Sequence, residues 1–211
     1  ENAASLCAIY FRGYYSVATL NINNGAKIVS NSSIATNSSA CDIYIWNDKY
    51  KTTLNVNNGI FTATNCAYCI YSSSGTINVS GGTFYRPTAG SIFYNAGATV
   101  TVDGGWYNSN VIDPKGQGFG NVNLKEGYSF SVINPDGQHE GLYHVFEALA
   151  EVDGIGYESI EAATAAAAQT EDHLVTLLKS IGEGDDITIS NTVLLDLNKY
   201  SIINDNIIFY I

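Results

Sequence analysis

The chain has 211 residues, of which 45% are hydrophobic and 14% charged, with a formal net charge of −11 and a sequence pI near 4.4. This length allows one sizeable hydrophobic core or two small ones, and the apolar content is too high for a disordered chain. The negative charge argues against nucleic acid and anionic membranes as partners, and no apolar run reaches the roughly 18 residues of a membrane-spanning helix.

One short phrase recurs along the first half of the chain. It is a polar–apolar–polar–apolar segment followed by a polar turn that ends in glycine, a pattern typical of a half-buried strand running into a residue able to take positive φ. Four clear copies and a weaker fifth read TLNINNG at 19–25, TLNVNNG at 53–59, TINVSGG at 76–82, TVTVDGG at 99–105 and NVNLKEG at 121–127.

The spacing of these copies predicts a parallel β-solenoid. The closing glycines lie 34, 23, 23 and 22 residues apart. A repeat of about 23 residues with three short strands matches one coil of such a fold, and successive coils stack about 4.8 Å apart with like residues on like. Because side chains alternate along a strand, the apolar residues of the phrase should point inward and the Thr and Asn between them outward.

Each coil is expected to hold three strands, with the phrase in the middle and a third segment after the glycine. The first strand is an Ile-Tyr segment that lies before the phrase. It occurs as Ile9-Tyr10, Ile43-Tyr44, Ile70-Tyr71 and Ile92-Phe93.

The four cysteines follow the same register. Cys7 and Cys41 are 34 residues apart, the same separation as the first two closing glycines, so they should occupy equivalent positions on neighbouring coils. A rung spacing of about 4.8 Å lies within the Cα–Cα range of a disulfide, so a disulfide and a ladder of thiols both fit. Cys66 and Cys69 belong to the next coil. A metal site is disfavoured because this single CxxC has no second pair at zinc-finger spacing.

Two aromatic loops are predicted on one corner of adjacent coils, at 12–16 and 46–51. Side-by-side exposed aromatics are typical of sugar-binding surfaces, so their rings are candidates for facing a glycan. The reading we favour is that the rings simply pack over the corner. The rings concerned are Tyr14, Tyr15, Trp46 and Tyr50.

After the fifth copy the repeat ends, and a helix followed by further strands is expected. Ser159 suits a helix N-cap and Glu161 its first turn, and an alanine run follows them. Beyond the helix, strands are predicted at 174–178, 187–189, 193–197, 201–203 and 207–211.

This second part resembles the opening of right-handed parallel β-helix domains, the pectate-lyase-like solenoid repeats of bacterial cell-surface proteins. The resemblance rests on residues 152–166, VTLLK at 175–179, DDITI at 185–189 and LDLNKYSI at 195–202, and the phrase at 76–84 resembles the body of the same domains. It implies an all-β fold, a right-handed parallel β-helix with one short capping α-helix near residues 159–169. Lys199 stands where that family usually has glycine, which loosens the turn.

The patterns divide the chain into a β-helix body of about five coils at 1–133, a connector at 134–151 and a helix-capped start of a β-helix at 152–211. An apolar strand at the end of the last part should not be left as a bare edge. We expect it to stack head-to-tail on a second copy or on an adjacent repeat, and such a heterologous contact does not close and gives a filament. A piece excised from a longer tandem protein is the other reading. The stacking residues would be Ile207, Ile208, Phe209, Ile211, Ile9 and Tyr10.

The resemblance also raises the question of an enzyme, since parallel β-helices often host polysaccharide lyases and hydrolases. Both chemistries require carboxylates that project together from adjacent coils. The acids of residues 1–110 are Glu1, Asp42, Asp48 and Asp103, and none is a ladder partner of another in the predicted register.

We therefore expect a non-catalytic, extracellular or cell-surface structural or adhesive β-solenoid with no catalytic residue, metal or cofactor. Low charge with abundant Asn, Ser, Thr and Tyr and four cysteines fits that location. The alternative is a carbohydrate-binding or polysaccharide-degrading β-helix that uses the Tyr/Trp corner loops.

Overall fold

The computed structural model describes residues 7–13, 16–31, 40–46, 51–86, 92–95, 97–108, 122–131, 139–182, 187–203 and 207–209. Within these residues the fold is mostly β with a single α-helix, and parallel sheets dominate, so the all-β prediction is confirmed. The chain divides into two compact units. The first comprises Glu1–Lys125 with Ser131–Val145, and the second Glu126–Phe130 with Phe146–Ile211.

Three sheets of parallel strands make up the first unit. The first sheet has the order β1-β4-β7-β10, the second β13-β11-β8-β5-β2, and the third β12-β9-β6-β3. The strands are β1 (Cys7–Arg12), β2 (Ala18–Ile22), β3 (Lys27–Asn31), β4 (Cys41–Trp46), β5 (Thr52–Val56), β6 (Ile60–Thr64), β7 (Tyr68–Ser72), β8 (Gly75–Val79), β9 (Thr83–Tyr85), β10 (Phe93–Asn95), β11 (Ala98–Val102), β12 (Trp106–Tyr107) and β13 (Val122–Leu124).

The pairing register confirms the repeat arithmetic of the recurrent phrase. Thr53 of β5 pairs with Thr19 on one side and with Thr76 on the other, and Thr76 in turn pairs with Thr99. Like residues therefore stack on like along the whole second sheet. This follows from the period of the sequence, because a register slip of one residue would turn the apolar side chains of a strand outward.

One alignment in the first sheet was wrong by a residue. The sequence motif placed Ile92 opposite Ile70, but Phe93 pairs with Ile70 and Tyr94 pairs with Tyr71. The ring that continues the tyrosine row is therefore Tyr94. Phe93 turns inward instead and is 2% exposed, so the fourth copy of the motif begins one position later than its isoleucine suggests.

The core of the first unit lies between the inward faces of its strands. Leu54 and Val56 of the phrase are fully buried. In the third sheet the inward ring of Phe61 stacks on Phe84 at 4.5 Å between centroids, and Phe84 stacks on Tyr107 at 5.0 Å. Each such pair contributes about 0.5–1.5 kcal/mol beyond its area burial. The Tyr107 hydroxyl donates to the Gly104 carbonyl oxygen at 2.7 Å, so its burial leaves no unmet donor.

Glycine is required where the turns after the phrase stack. A Cβ built on Gly104 would collide with the carbonyl oxygen of Ser80 in the neighbouring turn, and one on Gly81 would lie 2.6 Å from the carbonyl oxygen of Asn57. The turns therefore approach one another more closely than any side chain permits, which explains the double glycines of the later copies.

An antiparallel strand, β15 (Tyr143–Glu147), pairs with β12 of the third sheet. It lies inside the segment that the sequence assigns to a connector. The pairing sets Trp106 opposite His144 and Tyr107 opposite Tyr143. The next parallel rung expected on β12 is thus replaced by a strand of opposite direction.

The second unit combines a short helix with two small sheets. Their orders are β17-β16-β18-β20 and β19-β21, and β16 is antiparallel to both of its neighbours. The elements, after β14 (Tyr128–Ser131), are β16 (Ala150–Val152), β17 (Ile155–Tyr157), α1 (Ile160–Ala167), β18 (Leu174–Leu177), β19 (Ile187–Ile189), β20 (Leu194–Asp196) and β21 (Ile207–Phe209). In place of the strand expected at 201–203 there is one parallel bridge, between Ile181 and Ile202.

Helix α1 begins as the sequence predicts. The Ser159 side chain caps it by accepting from the Ala162 backbone N–H at 3.2 Å. Glu161 lies in the first turn, where a negative charge is favourable, and its carboxylate also accepts from the Thr188 backbone N–H at 2.9 Å. That second bond ties the helix to β19. The helix buries Ile160 and its small residues on one face, and none of the described helices is long and apolar enough to cross a membrane.

The turn at Asn198-Lys199 forms without the glycine usual in the resembling family. Both residues adopt left-handed backbone conformations, with φ of 42° and 67°. Asn198 is anchored by its backbone N–H, which donates to the Asp196 carboxylate at 2.9 Å. Lysine, unlike glycine or asparagine, rarely adopts a left-handed conformation, so Lys199 is conformationally strained.

Candidate functional site

Of the four aromatic residues predicted on the corner, the structure describes one, Trp46. Trp46 is 37% exposed and stacks on Tyr44 with ring centroids 6.2 Å apart. Tyr14, Tyr15 and Tyr50 lie outside the described residues. The indole of Trp46 therefore packs on its own sheet while leaving part of its surface to solvent.

A row of tyrosines runs across the outer face of the first sheet. The ring of Tyr44 stacks on Tyr10 at 5.6 Å and on Tyr71 at 4.6 Å, and Tyr71 stacks on Tyr94 at 4.6 Å. Burial, with a smaller contribution from the neighbouring phenols, raises the pKa of Tyr44 to about 12. Rings stacked face to face offer their edges to solvent rather than their faces. At the edge strand, Tyr10 is 44% exposed.

A polar cleft of about 490 Å³ opens where the turns after the phrase meet the third sheet. It is lined by the stacked glycine turns and by side chains that include Asn57, Asn58, Asp103 and Trp106. Asp103 is partly buried and forms an ion pair with Lys125, with 2.7 Å between its Oδ2 and the lysine Nζ. The cleft therefore offers amide and carbonyl groups with a neutralised carboxylate, which suits polar uncharged ligands better than ions.

Two histidines flank Trp106 at this cleft. The ring of His144 stacks on the indole at 3.7 Å between centroids and that of His139 at 4.3 Å, both nearly parallel to it. His144 comes from β15, whereas His139 approaches Thr83 of β9, with 3.5 Å between Nε2 and Oγ1. The indole faces are thus occupied by protein rings, so Trp106 is not a stacking platform for a sugar.

This grouping was missed by sequence reasoning, because no motif in the sequence joins the histidines to Trp106. His139 and His144 reach Trp106 only because β15 runs antiparallel to β12, and no local spacing encodes that pairing. His173 lies in the second unit, where its Nδ1 is 3.0 Å from the Ala167 carbonyl oxygen at the end of α1.

The buried acid of the first unit is Asp42, on β4. One carboxylate oxygen accepts from the Ser30 hydroxyl at 2.6 Å, and the other has no hydrogen-bond partner. Burial is the main cause that raises the pKa of Asp42 to about 7, and the hydrogen bonds from Ser30 and the weaker one from the Cys69 thiol only partly oppose it. The Cys66 Sγ lies 3.2 Å from the same Ser30 hydroxyl. Ser30, Asp42 and Cys66 thus form a buried polar cluster.

The cysteine register is confirmed, and the thiols gather near this acid. Cys7 pairs with Cys41 on adjacent strands, and all four cysteines carry thiols rather than a disulfide. Burial raises the pKa of Cys41 and of Cys69, and the Asp42 carboxyl adds to both effects. Such thiols stay protonated and are weak nucleophiles and weak metal ligands. Among the described residues, no group of three or more His, Cys, Asp or Glu side chains could hold a metal ion.

The two described acids of residues 1–110 lie on different sheets. Asp42 lies on the first sheet and is buried, whereas Asp103 follows β11 of the second sheet and is paired with Lys125. The other two acids of residues 1–110, Glu1 and Asp48, fall outside the described residues.

Among the strands that the structure describes, β1, β2 and β3 are each the last of their sheet, and we call them together the edge rung. Their inward side chains are less covered than those of the next rung. Leu20 is half-buried whereas its partner Leu54 is 0% exposed, and Cys7 is half-buried whereas its partner Cys41 is 0% exposed. An apolar surface is thus left uncovered in the predicted stacking region, which includes Ile9 and Tyr10.

The second unit also ends in edge strands, and β20, Ile202 and β21 together are named the C-terminal edge. It carries exposed apolar side chains. Leu194 is 64% exposed and Ile203, next to the bridge residue, is 58% exposed. Of the predicted stacking residues, Ile207, Ile208 and Phe209 form β21, and Ile211 lies outside the described residues.

Comparison with known proteins adds no relative to this description. No family model matches the chain, and neither the curated proteins nor the solved structures contain a significant match.

Proposed function

We propose that this protein is a structural or adhesive β-solenoid of the cell surface, whose copies stack head-to-tail into a filament or stalk. In this proposal the three parallel sheets of the first unit are the faces of a right-handed β-helix, as the family resemblance implies. The proposal includes no catalytic step, metal or cofactor.

The observation that carries the proposal is the edge rung. Among the described residues, three strands with parallel neighbours lie at the edges of their sheets, and β1 and β2 carry half-buried apolar side chains there. Natural proteins protect edges with charge, proline or covering segments because bare edges recruit further strands. Within β1–β3 the charged residues are Arg12 and Lys27, whose positions alternate with the inward ones, so the apolar side of the rung carries no protecting charge.

A second copy of the chain is the occupant that fits this rung. The C-terminal edge offers three segments with parallel neighbours, which matches the number of strands it would meet, and Leu194 and Ile203 expose aliphatic side chains there. Pairing the two edges adds a rung that continues both stacks. The contact joins two different surfaces, so each added copy exposes a fresh edge and the assembly does not close.

Sedimentation velocity over a range of concentrations, with electron microscopy of the same samples, tests this proposal. Wild-type protein should form elongated oligomers whose mean size grows with concentration. Leu20→Lys places a charge on the inward side of the edge rung, from which its ammonium can reach solvent, and should leave a folded monomer. Thr19→Lys puts the same charge on the outward side of the same strand and should still assemble. A wild-type chain that stays monomeric at high concentration would overturn the proposal.

The second candidate function is carbohydrate binding, which the exposed part of Trp46 and the polar cleft favour. Saturable binding on a glycan array that is lost in Trp46→Ala would support it at the corner. Binding lost in Asn58→Ala, with Trp46→Ala unaffected, would place it at the cleft.

A further inference from the structure

The asparagines that stack between rungs form hydrogen-bonded ladders with one direction. On the second sheet the Asn78 amide donates to the Asn55 side-chain oxygen at 2.9 Å, and the Asn55 amide donates to Asn21 at 2.8 Å. Two further pairs repeat the arrangement, Asn57 to Asn23 at 2.9 Å and Asn65 to Asn31 at 3.3 Å. In every case the residue nearer the edge rung accepts.

The shared direction leaves the same group exposed at the end of each ladder. Asn21, Asn23 and Asn31 belong to or directly follow strands of the edge rung, and each uses its side-chain oxygen to accept from the rung behind it. A carboxamide carries its oxygen and its nitrogen on opposite sides of one planar group. The three Nδ2 groups are therefore directed toward the open edge, where they form a row of donors.

We propose that this donor row selects the partner of the edge rung, namely a second copy that presents oxygen acceptors from its C-terminal edge. The inference rests on the stacking function proposed above and adds its polarity. The C-terminal edge contains an acceptor in the exposed Asp196 of β20, whose carboxylate accepts from the Asn198 backbone N–H and has further lone pairs to offer. Hydrogen bonds from amides to such a group are shorter and stronger than those between neutral groups.

The row also excludes the competing geometry. Two edge rungs placed against each other would both present donors and no ladder acceptor, which leaves polar groups unpaired in a desolvated contact. Repulsive contacts of this kind give specificity by disfavouring the wrong partner. Head-to-head dimers, which would end growth, are therefore disfavoured relative to head-to-tail addition.

Replacement of Asn21 by aspartate tests the inference, because it removes the donor and keeps the acceptor that Asn55 requires. Asn21→Asp should weaken association at least tenfold in sedimentation equilibrium, while its thermal unfolding as a dilute monomer stays near that of wild type. The matched control is Asn123→Asp, which lies in the same outward row at the opposite edge of the second sheet and makes the same charge change. It should associate within about twofold of wild type at raised salt, where long-range repulsion is screened.

The outcomes separate this inference from the stacking function. If wild-type protein does not associate, the proposed function fails and the donor row with it. If wild type associates and Asn21→Asp associates equally well, stacking stands but the donor row does not direct it. An equal loss in Asn21→Asp and Asn123→Asp would show that net charge controls association, and would also overturn the inference.

Discussion

Ser30 and Asp42 share a 2.6 Å hydrogen bond inside the first unit, where Ser30 is 9% exposed and Asp42 is 0% exposed. A single hydroxyl does not replace the water that a carboxylate loses on burial. The pKa of Asp42 is consequently raised from 3.8 to about 7, so the folded protein holds this proton more tightly than the unfolded chain does.

Stability should therefore fall with rising pH at this residue. Its contribution is fully present below the unfolded pKa of 3.8 and is lost as the pH rises through the folded value of about 7. A shift of this size corresponds to roughly 4 kcal/mol as an upper bound. Asp42→Asn keeps a neutral side chain at every pH and should remove this contribution. Urea unfolding of both proteins near pH 4.5 and near pH 8 measures it. Identical changes in the free energy of unfolding for the two proteins would contradict the buried protonated carboxyl.

Cys7 should react with thiol reagents faster than the other three cysteines. Cys7 is half-buried at the edge rung, whereas Cys41, Cys66 and Cys69 are at most 3% exposed. A charged alkylating reagent should modify Cys7 in the native protein and all four residues after denaturation, as mass spectrometry of the products can determine. Rapid native modification of Cys69 would show that the core opens around the CxxC segment.

Equivalent leucines on adjacent rungs should differ in their contribution to the stability of the monomer. Leu54→Ala creates a cavity in the core and should cost about 2–5 kcal/mol of unfolding free energy. Leu20 is the register partner of Leu54 and lies half-buried on the edge rung. Leu20→Ala should therefore cost clearly less unfolding free energy than Leu54→Ala. Denaturant unfolding of dilute samples compares them. Equal losses would mean that Leu20 is as well covered as Leu54, and the edge rung would then not be an open surface.

These results show what the sequence could predict. The repeat of the phrase is local and periodic, so it predicted the pairings of Thr53 and Cys41 with their neighbours, and the Ser159 cap was equally readable. The hairpin of β16 and β17 was missed although Asp153-Gly154 is a strong two-residue turn signal with φ of 51° and 77°. That segment was interpreted only as part of the family resemblance.

Other features depend on pairing between distant segments, which no local pattern encodes. The stacking of His139 and His144 on Trp106 needs the reversed strand β15. The protonation of Asp42 depends on its complete burial, and the presence of an aspartate in a predicted strand does not show whether it is buried. The direction of the asparagine ladders follows from how neighbouring amides hydrogen-bond, whereas the sequence shows only that the residues repeat.

Lys199→Gly should stabilise the second unit. Lys199 has φ of 67°, and a left-handed conformation costs a non-glycine residue about 1–2 kcal/mol. Part of that gain is offset by the greater freedom of glycine in the unfolded chain, so a net gain of up to about 1 kcal/mol is expected. Lys51→Gly is the control, because Lys51 is exposed and is not among the residues with positive φ. A loss of stability in Lys199→Gly equal to that in the control would contradict the assigned turn strain.

Cross-linking between copies tests head-to-tail stacking most directly. Leu195 lies on β20 of the C-terminal edge, and Leu195→Cys would place a thiol there to react with Cys7 on the edge rung of another copy. With a short bifunctional maleimide, we predict a ladder of dimers, trimers and larger products on a denaturing gel. Wild-type protein, with Cys7 as its reactive thiol, should give dimers at most. Products that stop at the dimer in Leu195→Cys, or a chain that remains monomeric throughout, would contradict the account.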